Sequence, residues 1–359
     1  MRVAVIASSR FPISEPFAGG LESHVWHLTR QLKRRGHRVT LFAAPGSDRE
    51  LSANCLSVSR LVLGRQARAD VSMPPLVAME EHHAYLGLML ELMGDRANEF
   101  DLVHNHSLHY LPIAMAPALR TPMVSTLHTP PTPWLESAMQ IGPKSNIRFV
   151  AVSAHTARAW RHTAGPVTVV PNGVDVSLWR PGPGGGPLIW SGRIVREKGV
   201  DLAIAAAALA GMPLQVAGPI VDRAYYDEEV APHLGTGVTY LGHLSQRELA
   251  VAVGRAGAAL VTPRWNEPYG LVVAEALACG TPVAAFSRGG IPEIVTSDSG
   301  RLVAADDVAA LAAVIPTVLG LSRQAARARA VTACSLETMI ARYEVIYREV
   351  LGTAAAQAS

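Results

Sequence analysis

Lysine is nearly missing from this chain: only Lys33, Lys144 and Lys198 occur, and every other cation is an arginine. Basic residues number 32 against 29 acidic ones, a formal charge of +3. That excess is too small for a nucleic-acid face, which needs concentrated positive charge, so no nucleic-acid partner is expected. Cysteine is equally sparse. Cys55, Cys279 and Cys334 form an odd set, which argues against a disulfide framework and fits a reducing, cytoplasmic setting. Long apolar runs are lacking too. The most apolar stretch, residues 202–214, is Ala-rich, and its 13 residues fall short of the ~20 needed to cross a bilayer. Residues 1–7 read as a buried strand rather than the basic start and apolar core of a secretion signal. Charged residues make up only 17% while hydrophobic ones reach 49%, which places the chain among folded globular proteins. At about 150 residues per domain, the 359 residues suggest two domains.

Familiar phosphate loops are absent as well. The run Gly184-Gly185-Gly186 is not followed by Gly-Lys-Ser/Thr, so it is no Walker element. The first strand–helix turn lacks G-x-G-x-x-G, which argues against a dinucleotide site. His104-Asn105-His106-Ser107-Leu108-His109 has the residue type of a metal cluster, but no acidic or Cys partner stands at ligand spacing beside it. His106 reads instead as the end of a strand, and no metal is expected.

What is present is alternation. Short β-branched runs predict strands over 2–7, 39–43, 101–104, 123–126, 149–152 and 167–170. Between the first two, Val25, Leu28 and Leu32 share one stripe of a helix over 21–35, and Gly36 supplies its stop. The pattern restarts with strands over 188–191, 214–217, 238–241, 259–261 and 283–286. One later helix opens on Ser245-Gln-Arg-Glu248, a capping box. Asp306-Asp307 reads as a solvated helix start. Parallel strands covered on both faces by helices follow from this order: an α/β protein with two Rossmann-like, doubly wound domains. The expected boundaries are 1–170, a Pro/Gly-rich linker or hinge within 171–187, 188–335, and a last helix in 336–359.

The strongest chemistry lies in the second half. Ser191-Gly192-Arg193 and Lys198-Gly199 follow a buried strand and precede a helix, where cations face an anion at the sheet edge. Next comes Glu267-Pro268-Tyr269-Gly270-Leu271, with Glu275 further on and Gly280 closing the helix that Gly270 opens. The free N–H groups at that helix start form an anion site. A carboxylate beside phosphate is repelled, so each Glu is suited to hydroxyl groups instead.

The Glu267-x7-Glu275 element, Gly192-Arg193 with Lys198-Gly199, Pro171-Asn172-Gly173-Val174-Asp175, the Gly19-Gly20 loop and His128 together resemble glycosyltransferase family 4, in family order from Gly19 to Gly300. The resemblance implies a GT-B fold with its site in the cleft between domains. It implies that Arg193 and Lys198 bind a donor diphosphate, that Glu267 holds the donor sugar, and that Glu275 holds the ribose. Backbone amides at Tyr269, Gly270 and Leu271 contact phosphate and sugar, His128 sits over the sugar, Gly19-Gly20 closes near the phosphates, and Asn172 lies close by. The last helix crosses back onto the first domain.

The implied reaction is retaining transfer of a hexose-like unit from a nucleoside diphosphate sugar, UDP favoured over GDP, to an acceptor hydroxyl, without metal or other cofactor. The acceptor, a natural product, lipid or glycan, is left open. A sugar-nucleotide epimerase or hydrolase and a non-catalytic binding module are the alternatives. Segment 52–99 fits no pattern; it belongs to the acceptor side, and its Arg60, Arg65 and Arg68 read as solvated cations or as contacts to an anionic acceptor or a membrane surface.

Overall fold

The computed structural model describes residues 1–51, 53–56, 61–141 and 146–358; Arg60 lies outside them. Two parallel sheets face each other. The first joins β1 (Arg2–Ile6), β2 (Arg38–Ala43), β3 (Ala53–Cys55), β4 (Leu102–Asn105), β5 (Met123–Leu127), β6 (Ile147–Ala151) and β7 (Thr168–Val169) in the order β3-β2-β1-β4-β5-β6-β7. The second joins β8 (Leu188–Ser191), β9 (Leu214–Ala217), β10 (Val238–Tyr240), β11 (Ala259–Val261), β12 (Val283–Phe286) and β13 (Gly300–Val303) in the order β10-β9-β8-β11-β12-β13. Each order reverses direction at its first strand, which opens a crevice at the carboxyl ends of the strands. β3 and β13 are edge strands that the sequence pattern did not reveal, because Ala-Asn-Cys and Gly-Arg-Leu-Val carry too little β-branched signal.

The Gly20–Arg34 helix buries the expected stripe, Val25, Leu28 and Leu32, against the first sheet. Each such side chain contributes ~1.5–3 kcal/mol on burial. The last helix, Leu336–Ala358, packs Ile340, Tyr343 and Tyr347 into that same core. The capping box at Ser245 and the Asp307 cap of the Val308–Leu319 helix both form. Among the described residues no single helix is long and apolar enough to cross a membrane; Ala203, Ile204 and Ala207 of the Ala-rich stretch are core residues.

Two findings correct the sequence reading. Segment 52–99 contains an 18-residue helix, Leu76–Met93, whose Tyr85, Leu88, Met89 and Leu92 pack on the first sheet. The Pro/Gly-rich run 181–187 is not a free hinge. Gly182 N, Gly184 N and Gly186 N donate to Cys279 O, Gly254 O and Arg255 O, which stitches the run to the second domain. The chain crosses between domains near Asn172–Val174, at the start of the 171–187 region, and returns at Cys334–Leu336. These crossings lie side by side: Val174 N donates to Cys334 O at 2.8 Å, and Leu336 N to Val174 O at 3.0 Å. Gly173 permits the approach, since a Cβ there would stand 2.5 Å from Leu336 Cα.

The domains also touch beside the cleft. Gln246 donates to Ser23 Oγ at 2.8 Å, and its oxygen meets His27 Nε2 at 3.0 Å. Elsewhere between the domains the Glu293 carboxylate accepts from Ala154 N and His155 N at 2.8 and 2.7 Å, capping a first-domain helix.

Candidate active site

A cavity of about 550 Å³ lies between the carboxyl edges of the two sheets. The residues assigned to the site from the sequence line it: Gly19, Gly20, His128 and Asn172 from the first half, and Arg193, Lys198, Glu267, Tyr269, Gly270, Leu271 and Glu275 from the second.

On the second-domain wall, β8 delivers Gly192 and Arg193, whose Nη2 pairs with Glu197 Oε1 at 3.1 Å. The turn after it delivers Lys198, whose Nζ donates to Glu267 Oε2 at 2.7 Å. Trp265, which sequence reasoning missed, joins them. Its Nε1 donates to the same Glu267 oxygen at 2.8 Å, and its ring lies 4.7 Å from Lys198 Nζ. The indole thereby orients both partners of the ion pair. Gly270 begins the Leu271–Ala278 helix in the left-handed region at φ 103°, and a Cβ there would meet Ile291 Cγ1 at 3.0 Å. No side chain caps this helix start, so its first N–H groups are available to an anion. Glu275 is buried in the same helix, and burial pushes its carboxyl up to about 8. It is therefore a neutral acid near pH 7, able both to donate and to accept hydrogen bonds.

The first-domain wall is built from histidine. His128 follows β5, His106 follows β4, and His24 comes from the Gly20–Arg34 helix. His106 Nδ1 meets His128 Nε2 at 2.9 Å, and the His24 ring centre lies 4.9 Å from that of His128. Burial first, and their neighbouring imidazoles second, hold all three well below the ordinary imidazole range, His24 at about 3. All three are neutral at pH 7. The sequence triplet around His106 does not act as a unit. His104 packs its ring centre 3.9 Å from that of His106 but commits both nitrogens to Tyr347 and Thr126, while His109 stacks on Tyr85. His24 was missed because its helix offered only an apolar stripe to read.

These three imidazoles could hold a cation: one nitrogen from each falls within 4.8 Å of the others, and His106 Nε2 and both His24 nitrogens lack a protein partner. Tetrahedral zinc needs nitrogens about 3.3 Å apart and a fourth ligand or water. The set includes no carboxylate or thiolate. Asn172 Oδ1, buried at the cavity wall, is another polar atom without a protein partner. The arrangement is a split one: paired charges and helix amides on one wall, and neutral imidazoles on the other, where, among the described residues, Arg10 and Glu22 are the ionisable lining residues besides histidine.

Comparison with known proteins matches this geometry. Residues 18–178 fit the model of Glycosyltransferase Family 4, and residues 186–331 fit that of Glycosyl transferases group 1. The glycogen synthase of Mycobacterium tuberculosis is 30% identical over 89% of this chain and 86% of its own length. Among solved structures, the sucrose-phosphate synthase of Thermosynechococcus elongatus superposes with a TM-score of 0.77 at 20% identity, covering 98% of this chain and 99% of that one. Anabaena HepE in complex with UDP and glucose does so with 0.73 at 17% identity, covering 96% and 98%. The two facing sheets are thus the GT-B fold, and the chain belongs to glycosyltransferase family 4, whose members use nucleotide-sugar donors.

Proposed function

We propose that this enzyme transfers a hexosyl unit from a UDP-sugar to an acceptor hydroxyl with retention at the anomeric carbon and without a metal. The observation that carries the reading is the convergence, in one cavity, of Arg193, Lys198 and the uncapped helix start at Gly270 with Glu267, Glu275 and His128.

As the glycosidic bond breaks, negative charge grows on the diphosphate and the sugar becomes oxocarbenium-like. Arg193, Lys198 and the helix amides stabilise that growing charge where a divalent cation would otherwise act. Lys198 turns partly from Glu267 toward the phosphate, and Glu267, still held by the Trp265 indole, accepts from the sugar hydroxyls. Glu275 exchanges hydrogen bonds with the ribose. His128 faces the sugar as a neutral imidazole, so no positive charge stands beside the developing cation. Glu267 is engaged by Lys198 and Trp265 and is poorly free to attack carbon. We therefore favour front-face attack by the acceptor hydroxyl, with the leaving phosphate taking its proton. UDP as carrier is supported by HepE, a protein of the same fold whose complex holds UDP and glucose.

A thermal-shift screen of nucleoside diphosphates and their sugars tests the donor assignment. The matching ligand at 100 times its dissociation constant stabilises the fold by ~2.7 kcal/mol. A larger shift with GDP than with UDP would reassign the donor. The anomeric configuration of the product, read by NMR coupling constants, tests retention.

A further inference from the structure

Donor chemistry leaves one feature of the first-domain wall unused. Tyr85 of the Leu76–Met93 helix is fully buried, and its hydroxyl donates to Ala7 O at 2.8 Å and accepts from Ser9 N at 2.9 Å, beyond the end of β1. His109 stacks on Tyr85 with 4.7 Å between ring centres and 20° between planes. Tyr110 stacks on His109 at 4.7 Å and 25°, and Trp134 stacks on Tyr110 at 5.2 Å and 23°. Four near-parallel rings thus run from the core to the surface.

A row of stacked rings is ordinarily core packing, and at Tyr85 it is that. Trp134 breaks the rule because it is 69% exposed. Hydrogen-bonding groups flank the row. The Tyr110 hydroxyl meets His82 Nδ1 at 3.1 Å, Arg10 pairs with Glu81 at 3.5 Å, and Ser9 Oγ also reaches Glu81. Arg10 and Leu108 line the same cavity as His128. Trp134 is six residues beyond His128, so it lies within ~20 Å of it along the chain.

We infer that this row is a carbohydrate acceptor subsite for an extended glycan, in which one pyranose ring stacks on Trp134 at the surface end while further sugar units run along the row toward His82, Glu81 and Arg10. A pyranose has a face of C–H groups and a rim of hydroxyls. An exposed flat ring suits the C–H face, and the polar groups further along the row suit the hydroxyls of the following units. The stack beneath Trp134 already fixes its orientation, so little side-chain freedom is lost on binding. An anionic membrane surface fits less well, because the nearby cation is neutralised by Glu81 and Glu81 would be repelled. The inference rests on the sugar-transfer reading and names its acceptor class: a glycan or glycoside.

The test is a glycan array probed with fluorescently labelled full-length protein in the presence of UDP, with UDP affinity measured separately by calorimetry. The wild type binds a subset of glycans. Trp134→Ala loses that binding by tenfold or more, and Trp134→Phe recovers part of it because a ring remains. Leu209→Ala, which alters a comparably exposed apolar residue on the second domain, binds as the wild type does. With a glycan hit used as acceptor, the loss in Trp134→Ala falls mainly on acceptor KM. Unaltered glycan binding by Trp134→Ala overturns the subsite. So does transfer to phosphatidylinositol vesicles with no glycan bound on the array. If UDP itself fails to bind, the nucleotide-sugar reading falls instead, and the calorimetric arm separates the two.

Discussion

The two walls of the cleft solve different problems with different chemistry. The second-domain wall carries full charges in fixed pairs, Arg193 with Glu197 and Lys198 with Glu267, beside a bare helix start. The first-domain wall carries imidazoles kept neutral by burial, stacked rings and, among the described residues, only Arg10 and Glu22 as other ionisable lining residues. A diphosphate is the same strongly charged group in every donor, so fixed cations and amides suit it. The acceptor side must approach a carbon that is becoming positive, and there a protonated histidine would oppose the reaction. On the proposed reading, the paired charges and helix amides stand where the leaving group departs, and the imidazoles nearest the new bond carry no charge.

The sharpest way to break this comparison is to remove charge from the charged wall. Arg193→Ala and Lys198→Ala each lower kcat by ~10²–10³, in line with the loss of one donor that stabilises transition-state charge. Steady-state assays measure this, and near-wild-type melting temperatures without ligand show that the fold survives. Normal turnover in either variant would place its cation outside the chemistry.

Removing a ring from the neutral wall has a smaller but more selective effect. His128→Ala lowers turnover by about 100-fold, while calorimetry finds UDP affinity little changed, because the proposed reading gives His128 to the sugar and most nucleotide contacts to the other wall. A collapse of UDP affinity would refute the division between the walls.

The two glutamates refine the picture within the charged wall. Glu267→Gln retains UDP but loses the added affinity of the sugar. Glu275→Gln weakens UDP and UDP-sugar alike by about tenfold, the value of one hydrogen bond of ~1.4 kcal/mol. Glu275 also predicts a pH effect on stability. Its carboxyl stands at about 8 in the fold against an ordinary 4.5. Between those values the native state holds a proton that the unfolded chain has released. Stability from this group is therefore complete below about 4.5 and is lost as pH rises toward 8, by at most ~1.4 kcal/mol per pH unit. Denaturant titrations at several pH values should show a flatter profile for Glu275→Gln than for the wild type. Parallel profiles would mean that Glu275 is ionised in the fold.

The smallest expected effect is none. EDTA leaves transfer activity unchanged if the cations and helix amides suffice for the diphosphate. Activity that disappears with EDTA and returns with added Mg²⁺ or Mn²⁺ would show that the charged wall is incomplete by itself.

Much of the charged wall could be read from the chain because its parts are close in sequence. Gly192, Arg193 and Lys198 share one loop, and Glu267, Gly270 and Glu275 share one turn and helix, so residue spacing already approximates spatial order. Trp265 stood two residues from Glu267 and was still missed, since an indole near a carboxylate gives no pattern until its N–H is seen to point at the oxygen. The Leu76–Met93 helix was hidden for another reason. Leu76, Val77 and Leu90 are exposed while Tyr85, Leu88 and Met89 are buried, so apolar residues surround the helix and no single stripe marks its inner face.

The sequence by itself determined the two α/β halves, the Gly20–Arg34 helix, the capped helix at Ser245 and the cationic and carboxylate set of the donor wall. Those depend on periodicity, glycine placement and short-range spacing, which a linear chain records. Only the tertiary structure decided that His24, His106 and His128 converge, that Tyr85, His109, Tyr110 and Trp134 form one row, and that the crossings at Val174 and Leu336 run together. Each of these brings together segments separated in sequence at adjoining strand ends or paired crossings. Their proximity follows from strand order and packing, quantities that no local pattern encodes.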